Sequence, residues 1–352
     1  MAPLKDTDPL PITLLTGFLG SGKTTVLNHL VRTLPRTAIL MNEFGEVALD
    51  HQLLQKMEGP MALLSGGCVC CTISGSLSPT LKNLWMARQK GDIPPFERVV
   101  IETTGIADPA PVLDNLLHDN WVRARFRLDG VITTVDALFG MGQLDQHFEA
   151  VKQVAVADKL LLTKTDLAPA DSVTALRERL ATLNPAADIV TVTHGELDPA
   201  AIQNLGLWNA ETRSLEVVRW LKPQRYQPAS AGKLGGKPRA ALHDARIQAF
   251  SVVLDAPLDR YGLQSALSML ASFRAENLLR FKAIVNLQGE PQPTVLHGVQ
   301  HVLYPEVKLD AWPDDDHRSR FVFIVRDLDP EFVAKLLADF SGAAQNPAAV
   351  SP

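Results

Sequence analysis

An α/β fold is the architecture the sequence predicts: a mostly parallel sheet with helices on both faces, followed by a smaller α+β domain of ferredoxin-like type. Three observations carry this. Short Val/Ile/Leu runs alternate with longer helix-patterned stretches through the first part of the chain. Each run is apolar throughout rather than alternating, as a strand covered on both faces must be. The rhythm then changes beyond a Pro- and Gly-rich basic stretch.

The runs are Ile12–Thr16, Ala38–Met41, Arg98–Glu102, Gly130–Val135, Lys159–Thr163 and Asp188–Val192. Helical patterns occupy Lys23–Leu34, Ser78–Lys90, Pro109–His118 and Asp171–Leu183. Strand and helix in alternation give parallel neighbours, because a helical crossover returns the chain to the same end of the sheet. Pro223 to Pro238 holds Pro, Gly, Ser and Ala with Arg225, Lys233 and Lys237 and no acids, and reads as a flexible, basic linker. Beyond it, Ile247–Leu254 reads as a strand and Leu258–Leu279 as a long helix. Phe281–Leu287, Val295–Leu303 and Arg320–Arg326 read as further strands, and Pro330–Phe340 as a final helix. The expected domains are 1–222, the linker 223–240, and 241–345. The Ala/Pro/Ser-rich tail after Phe340 is expected to fray.

Composition narrows the function. Of 352 residues 46% are hydrophobic and 21% charged, enough apolar mass for a sizeable core. The net charge of −5 disfavours general nucleic-acid binding, which needs a positive field. No apolar run reaches the length of a membrane span, and the first residues lack a secretory pattern. The three cysteines, Cys68, Cys70 and Cys71, are an odd, clustered set rather than a disulfide framework. A reducing compartment, the cytoplasm, is expected.

The strongest motif is Gly17-Phe18-Leu19-Gly20-Ser21-Gly22-Lys23-Thr24-Thr25, a G-x-x-x-x-G-K-[ST] phosphate loop between an apolar strand and a helix. Its glycines let backbone N–H groups curl around phosphate oxygens at a helix N-terminus. Gly20, Ser21, Gly22, Lys23, Thr24 and Thr25 are the expected phosphate contacts. Lys23 reaches the β/γ-phosphates, and the Thr24 hydroxyl is a ligand for Mg²⁺. A catalytic carboxylate near that metal is expected at Glu102, which closes a strand in Glu102-Thr103-Thr104-Gly105. Gly105 permits close backbone approach to a γ-phosphate. In Thr163-Lys164-Thr165-Asp166, Asp166 can accept from guanine N1–H and the 2-amino group, a donor pair adenine lacks. Lys164 would lie along the base plane. Thr163 stands where many GTPases carry Asn.

Gly66-Gly67-Cys68-Val69-Cys70-Cys71 sets three soft ligands in a short span. Thiolates suit Zn²⁺ or Cu(I). Redox-active thiols and buried structural cysteines are the other two readings. Three thiolates this close cannot all be unstrained ligands of an ordinary structural site, so a donor from elsewhere is expected. Glu46, in Met41-Asn42-Glu43-Phe44-Gly45-Glu46, is the candidate. This segment follows the second strand, where a nucleotide-responsive switch would sit, so metal affinity and nucleotide state would be coupled. Glu43 and Asp50 are candidates for Mg²⁺ or water. His297 and His301 would share a face if both lay on one strand.

Taken together, the phosphate loop, Asn42-Glu43-Phe44-Gly45-Glu46, the C-x-C-C segment, Ile101-Glu102-Thr103-Thr104-Gly105 with Ala107-Asp108-Pro109, and Thr163-Lys164-Thr165-Asp166 resemble the CobW-type metallochaperone GTPases of the SIMIBI class, above all their bacterial YjiA-type members. Thr193-His194-Gly195, Arg280-Phe281-Lys282 and His297-Gly298-Val299-Gln300 extend the resemblance. It implies a GTPase domain, a CobW C-terminal domain, slow GTP hydrolysis to GDP and phosphate, and binding of Zn²⁺, Co²⁺ or a related ion. It also implies that His194 lies near the base. Some relatives carry Glu at the position of Met41, which cannot be a hard ligand. No Gln or Arg finger is visible, so a client protein or a second copy in a homodimer is expected to complete the site. The expected function is GTP hydrolysis driving metal delivery to a client, with no nucleic-acid or membrane partner. A nucleotide-responsive metal buffer or sensor is the alternative. An ATP-dependent kinase or transferase is a further one, against which Asp166 argues.

Overall fold

The computed structural model describes residues 8–34, 36–41, 54–56, 61–64, 68–72, 77–203, 205, 217, 220 and 246–342, with 54–56, 61–64 and 68–72 described as backbone. The Glu43, Glu46 and Asp50 positions, the 223–240 stretch and the tail from 343 lie outside these residues.

The fold is built around β1 (Leu10–Gly17), buried at every position. Helix α1 (Lys23–Thr33) follows it, then β2 (Thr37–Met41), β3 (Leu54–Lys56), β4 (Met61–Leu64) and β5 (Cys68–Thr72). Next come α2 (Leu77–Lys90), β6 (Arg98–Glu102), α3 (Ala110–His118), α4 (Asn120–Arg123) and β7 (Phe126–Asp136). Then follow α5 (Gly140–Gln146), α6 (Phe148–Ala155), β8 (Lys159–Thr163), α7 (Ala170–Leu183) and β9 (Asp188–Val192). The strands form one sheet in the order β3-β4-β5-β2-β6-β1-β7-β8-β9. All pairs from β5 to β9 are parallel, and β3–β4 and β4–β5 are antiparallel.

The six apolar runs are six of the parallel strands. Sequence reading misses β3 to β5, which hold no long apolar run and are flanked by Gly and polar residues. It also starts β7 four residues late. Arg127 and Asp129 interrupt the apolar pattern there, yet they sit on the strand 3.6 Å apart as an ion pair.

Contacts divide the chain into two compact units. One comprises Met1–Gln143, Ala157–Leu176 and Asp188–Gly206; the other comprises Leu144–Val156, Arg177–Ala187 and Leu207–Pro352. In the first, α1 turns Val26, Leu27, Leu30 and Val31 onto Leu15, Ile39, Val100 and Ile132 of the sheet. Residues spaced one turn apart share a helix face, so this spacing presses α1 against the strand ends.

The second unit holds β10 (Ile247–Leu254), α8 (Arg260–Phe273), β11 (Leu278–Val285), β12 (Thr294–Val299), β13 (Val302–Leu303), β14 (Val307–Lys308), β15 (Ser319–Arg326) and α9 (Pro330–Phe340). Its antiparallel sheet runs β10-β15-β11-β12-β13, with β14 paired to β12. Strand β15 lies between β10 and β11, the split β-α-β arrangement of ferredoxin-like domains. Phe250, Phe281 and Phe323 pack under Leu263 and Leu270 of α8 and Val333 and Leu337 of α9. The opposite face buries Ile284, Val295 and Val322 with Val217 and Trp220, and Leu279 and Ile324 with Ala155 of α6.

Two expectations are corrected here. The helix expected to reach Leu279 ends at Phe273, and Leu278 opens β11. Strand β11 is buried along its whole length, so its apolar run fits either period and tertiary pairing decides. The expected strand Val295–Leu303 breaks at Gln300, whose φ of 52° turns the chain into β13.

Candidate nucleotide and metal site

The loop from β1 to α1 is shaped by its glycines. Gly17, Gly20 and Gly22 have φ of 143°, 71° and 89°. A Cβ on Gly17 would lie 2.3 Å from Thr134 Oγ1 and 2.5 Å from the Thr134 carbonyl, so no side chain fits. Gly22 is the N-cap of α1 in the left-handed region. Lys23, 8% exposed, folds back so that its Nζ donates to the carbonyls of Gly17 at 2.9 Å and Phe18 at 3.3 Å. Thr24 is half-buried in the first turn of α1 and Thr25 is exposed.

Three successive loop carbonyls are held by side chains from distant segments. Gln143 Nε2 donates to Leu19 O at 3.2 Å, Lys164 Nζ to Gly20 O at 2.8 Å, and Thr163 Oγ1 to Ser21 O at 2.8 Å. The Ser21 hydroxyl meets Thr134 Oγ1 at 2.7 Å. Thr163, in the place of the more usual Asn, is therefore 5% exposed and ties the end of β8 to the loop.

Glu102 ends β6, in register with Leu15 on β1 and Met41 on β2, and is 8% exposed. Thr103 donates its N–H to Leu15 O at 3.0 Å and its hydroxyl to Thr16 Oγ1 at 2.7 Å, which fixes the turn after Glu102 beside the loop. A Cβ on Gly105 would come within 2.6 Å of the Leu19 side chain and 2.9 Å of its Cα. The close approach that Gly105 permits is thus to the loop itself.

On the other side of the loop, Lys164 has φ of 56° and its Nζ also donates to Asp136 Oδ2 at 2.6 Å. Asp166 follows in an exposed turn. His194, with φ of 53°, is exposed, and Gly195 lies so near α1 that a Cβ would fall 2.7 Å from Thr25 O. The structure thus brings Lys23, Thr24, Glu102, Lys164 and the Thr193–Gly195 turn around one loop. Sequence reading misses Thr134, Asp136 and Gln143. Asp136 carried a usable signal, being a charged residue that closes an apolar strand as Glu102 does.

Cys68, Cys70 and Cys71 are residues of β5; their side chains, like Glu46, lie outside the described residues. Backbone register pairs Cys71 with Leu40 and Thr72 with Met41, and Met41 in turn with Glu102. Met41 is 8% exposed and packs with Leu15, Ile39 and Val100, so it is a core residue of β2. His297 lies on β12 against the rings of Trp220 and Tyr304, whereas His301 is exposed beyond the Gln300 turn. The two histidines do not share a strand. Among the described residues no group of three or more His, Cys, Asp or Glu is placed to hold a metal ion.

A strand, a glycine loop and a helix whose lysine arches over the loop, flanked by polar strand ends, define a P-loop nucleotide-binding protein. Sequence comparison narrows the class. The CobW/HypB/UreG nucleotide-binding domain matches residues 11–191, and the cobalamin synthesis protein cobW C-terminal domain matches residues 247–341. The chain belongs to the CobW/HypB/UreG family and is one of its GTPases. It is 36% identical over 337 residues to the zinc chaperone YjiA of Escherichia coli, covering 95% of this chain and 99% of that one. It is 28% identical to the zinc chaperone CobW of Pseudomonas aeruginosa, over 95% and 92% of the two chains. The zinc-regulated GTPase metalloprotein activator 1 of Schizosaccharomyces pombe is 36% identical over 59% of this chain and 52% of its own. The crystal structure of Zn(II)-bound YjiA GTPase from E. coli superposes with a TM-score of 0.73 at 33% identity, covering 95% of this chain and 99% of that one. Among the described residues no helix is long and apolar enough to cross a membrane.

Proposed function

We propose that this GTPase is a metal chaperone that takes Zn²⁺, Co²⁺ or a related ion as cargo at its C-x-C-C strand and couples GTP hydrolysis to transfer of that ion to a client protein. The observation that carries the coupling is the register across three strands. Thr72, one residue beyond Cys71, pairs with Met41, which pairs with Glu102 at the edge of the phosphate loop. Neighbouring strands lie about 4.8 Å apart, so the cysteine strand runs about 10 Å from the strand whose end faces the nucleotide. Cys68, Cys70, Cys71 and Glu46 are the proposed cargo ligands.

In this reading residues 1–222 are the GTPase part, 223–240 the linker and 241–345 the C-terminal domain. Gly20, Ser21, Gly22, Lys23, Thr24 and Thr25 hold the phosphates, while Lys164, Asp166 and His194 face the base. The three tied carbonyls support this. In a planar peptide, holding a carbonyl to one side presents the next N–H to the other, so the latches pre-set the loop's donors. Thr24 and Glu102 offer hard oxygens to Mg²⁺, which they suit. When bound, that ion neutralises phosphate charge. Lys23 does the same from the protein side, and Glu102 is proposed to orient the attacking water. Water adds to the γ-phosphorus, the bond to the β-phosphate oxygen breaks, and GDP leaves with phosphate. A client or a second copy is proposed to supply the remaining transition-state contact.

The test is Zn²⁺ affinity by chelator competition on the full chain, under reducing conditions, with Mg²⁺ and a GTP analogue, with Mg²⁺ and GDP, and without nucleotide. A difference of about tenfold between states, roughly 1.4 kcal/mol, is the expected coupling. Equal affinity in all three states would leave a metal buffer or sensor.

A further inference from the structure

Asp136 is the last residue of β7 and is 1% exposed. A carboxylate buried this deeply is costly unless hydrogen-bonded and paired. Here each oxygen has its own task. Oδ1 accepts from the N–H groups of Leu138 at 2.8 Å and Phe139 at 3.1 Å, a turn that fixes the carboxylate to its own backbone. Oδ2 accepts from Lys164 Nζ at 2.6 Å. The same ammonium donates to Gly20 O at 2.8 Å in the phosphate loop. Lys164 is held in the left-handed region at φ 56°, uncommon for a lysine, and its side chain is one-third exposed. Without an anchor, a long side chain at such an edge would sample many rotamers. With Asp136 in place the ammonium is held between β7 and the loop, 28 residues from one partner and 144 from the other in sequence.

We propose that Asp136 is a positioning residue of the nucleotide site, acting through Lys164. It holds the lysine in the conformation in which its stem lies along the base and its ammonium clamps the Gly20 carbonyl, so the ordering cost is met before nucleotide arrives. This rests on the reading of Lys164 and Asp166 as the base-recognising pair.

The experiment is a double-mutant cycle on the full chain, with the dissociation constant of Mg²⁺ and a fluorescent GDP analogue, and KM and kcat for GTP, as readouts. The variants are Asp136→Asn, Lys164→Met and the two combined. Asparagine keeps an oxygen for the Leu138 and Phe139 N–H groups, removes the charge and puts an amide donor where Oδ2 accepts from Lys164. Asp136→Ser offers the same comparison should the asparagine variant be unstable. Each single variant is expected to weaken GDP about tenfold, and the double variant no more than Lys164→Met alone, within about twofold. KM for GTP should rise while kcat stays within about twofold of wild type. Additive losses in the double variant, GDP affinity unchanged in Asp136→Asn, or a loss confined to kcat would each overturn the proposal while leaving base recognition standing. Unchanged GDP affinity in Lys164→Met would overturn both.

Discussion

Lys23 shows how much of the site a single residue carries. Its Nζ donates to the Gly17 and Phe18 carbonyls at the mouth of the loop. Lys23→Ala is expected to lower GTP hydrolysis by at least about 100-fold, measured as phosphate release, because a charge aimed at developing negative charge is lost. Retained hydrolysis would remove Lys23 from the chemistry. Asp166 makes a different prediction. Changing Asp166 to Asn replaces one acceptor by a donor, which matches the 2-carbonyl of xanthine and not the 2-amino group of guanine. GTP affinity should fall about 100-fold or more and XTP should bind in its place, as expected when a hydrogen-bonding partner of the base is mismatched. Unaltered GTP preference in a competition titration would show that Asp166 does not read the base. Residues such as Lys23 and Asp166 were legible because their motifs are local. Gln143 and Thr134 were not, because their partners are far away in sequence, and the charged end of β7 at Asp136 gave a signal without showing which side chain it holds.

Elements depend on contacts that motifs do not show. Helix α4 is capped by Asp119, whose Oδ1 accepts from Trp121 N at 2.8 Å and Val122 N at 3.0 Å. The Ser78 hydroxyl and these N–H groups hold the Asp119 carboxyl below its ordinary pKa. Asp119→Ala should cost about 1 kcal/mol, read from the shift of a urea unfolding curve. Helices α8 and α9 meet at Gly262, where a Cβ would lie 1.8 Å from the Phe340 carbonyl. Gly262→Ala should therefore separate the pair and cost about 2 kcal/mol, visible as a lowered Tm. No change in Tm would mean that the helices shift without loss. Five of the six apolar runs were readable as strands because they are buried on both faces; the sixth, β9, is the half-buried edge strand and was readable from its Ile and Val residues. The short strands β3 to β5, which place the cysteines in the sheet, were not readable because sheet pairing rather than an apolar run defines them.

Across the whole molecule, acid should act on the second unit through its ion pairs. The Arg318 guanidinium beside Asp316 brings that carboxyl from 3.8 down to about 2. Lys308 and Arg260 lower Glu290, and Arg246 lowers Asp327. A carboxyl with a depressed folded pKa contributes stability above its unfolded value and loses it as pH falls through the folded one. For Asp316 that loss runs from pH 3.8 to about 2. The groups are partly exposed to solvent, so each contributes little and salt should weaken the effect. Unfolding of wild type against Arg318→Ala between pH 5 and 2 should converge at the acid end; a constant gap would refute the linkage.

The sequence by itself determined the alternating strands and helices, the glycine-shaped phosphate loop, the Thr163-Lys164-Thr165-Asp166 segment at the end of β8 and the clustered thiols. These features are encoded within a few residues, by apolar runs and by backbone angles only glycine adopts readily. Tertiary structure decided what holds the loop in shape, since Gln143, Lys164 and Thr163 reach it across 124, 144 and 142 residues. It also decided that Met41 is core, that β11 begins where a helix was expected, and that the cysteine strand pairs with β2. The physical reason is common to all of these. Hydrogen-bond partners and sheet neighbours are chosen by closure of the whole sheet, and no local stretch of sequence holds both members of the pair.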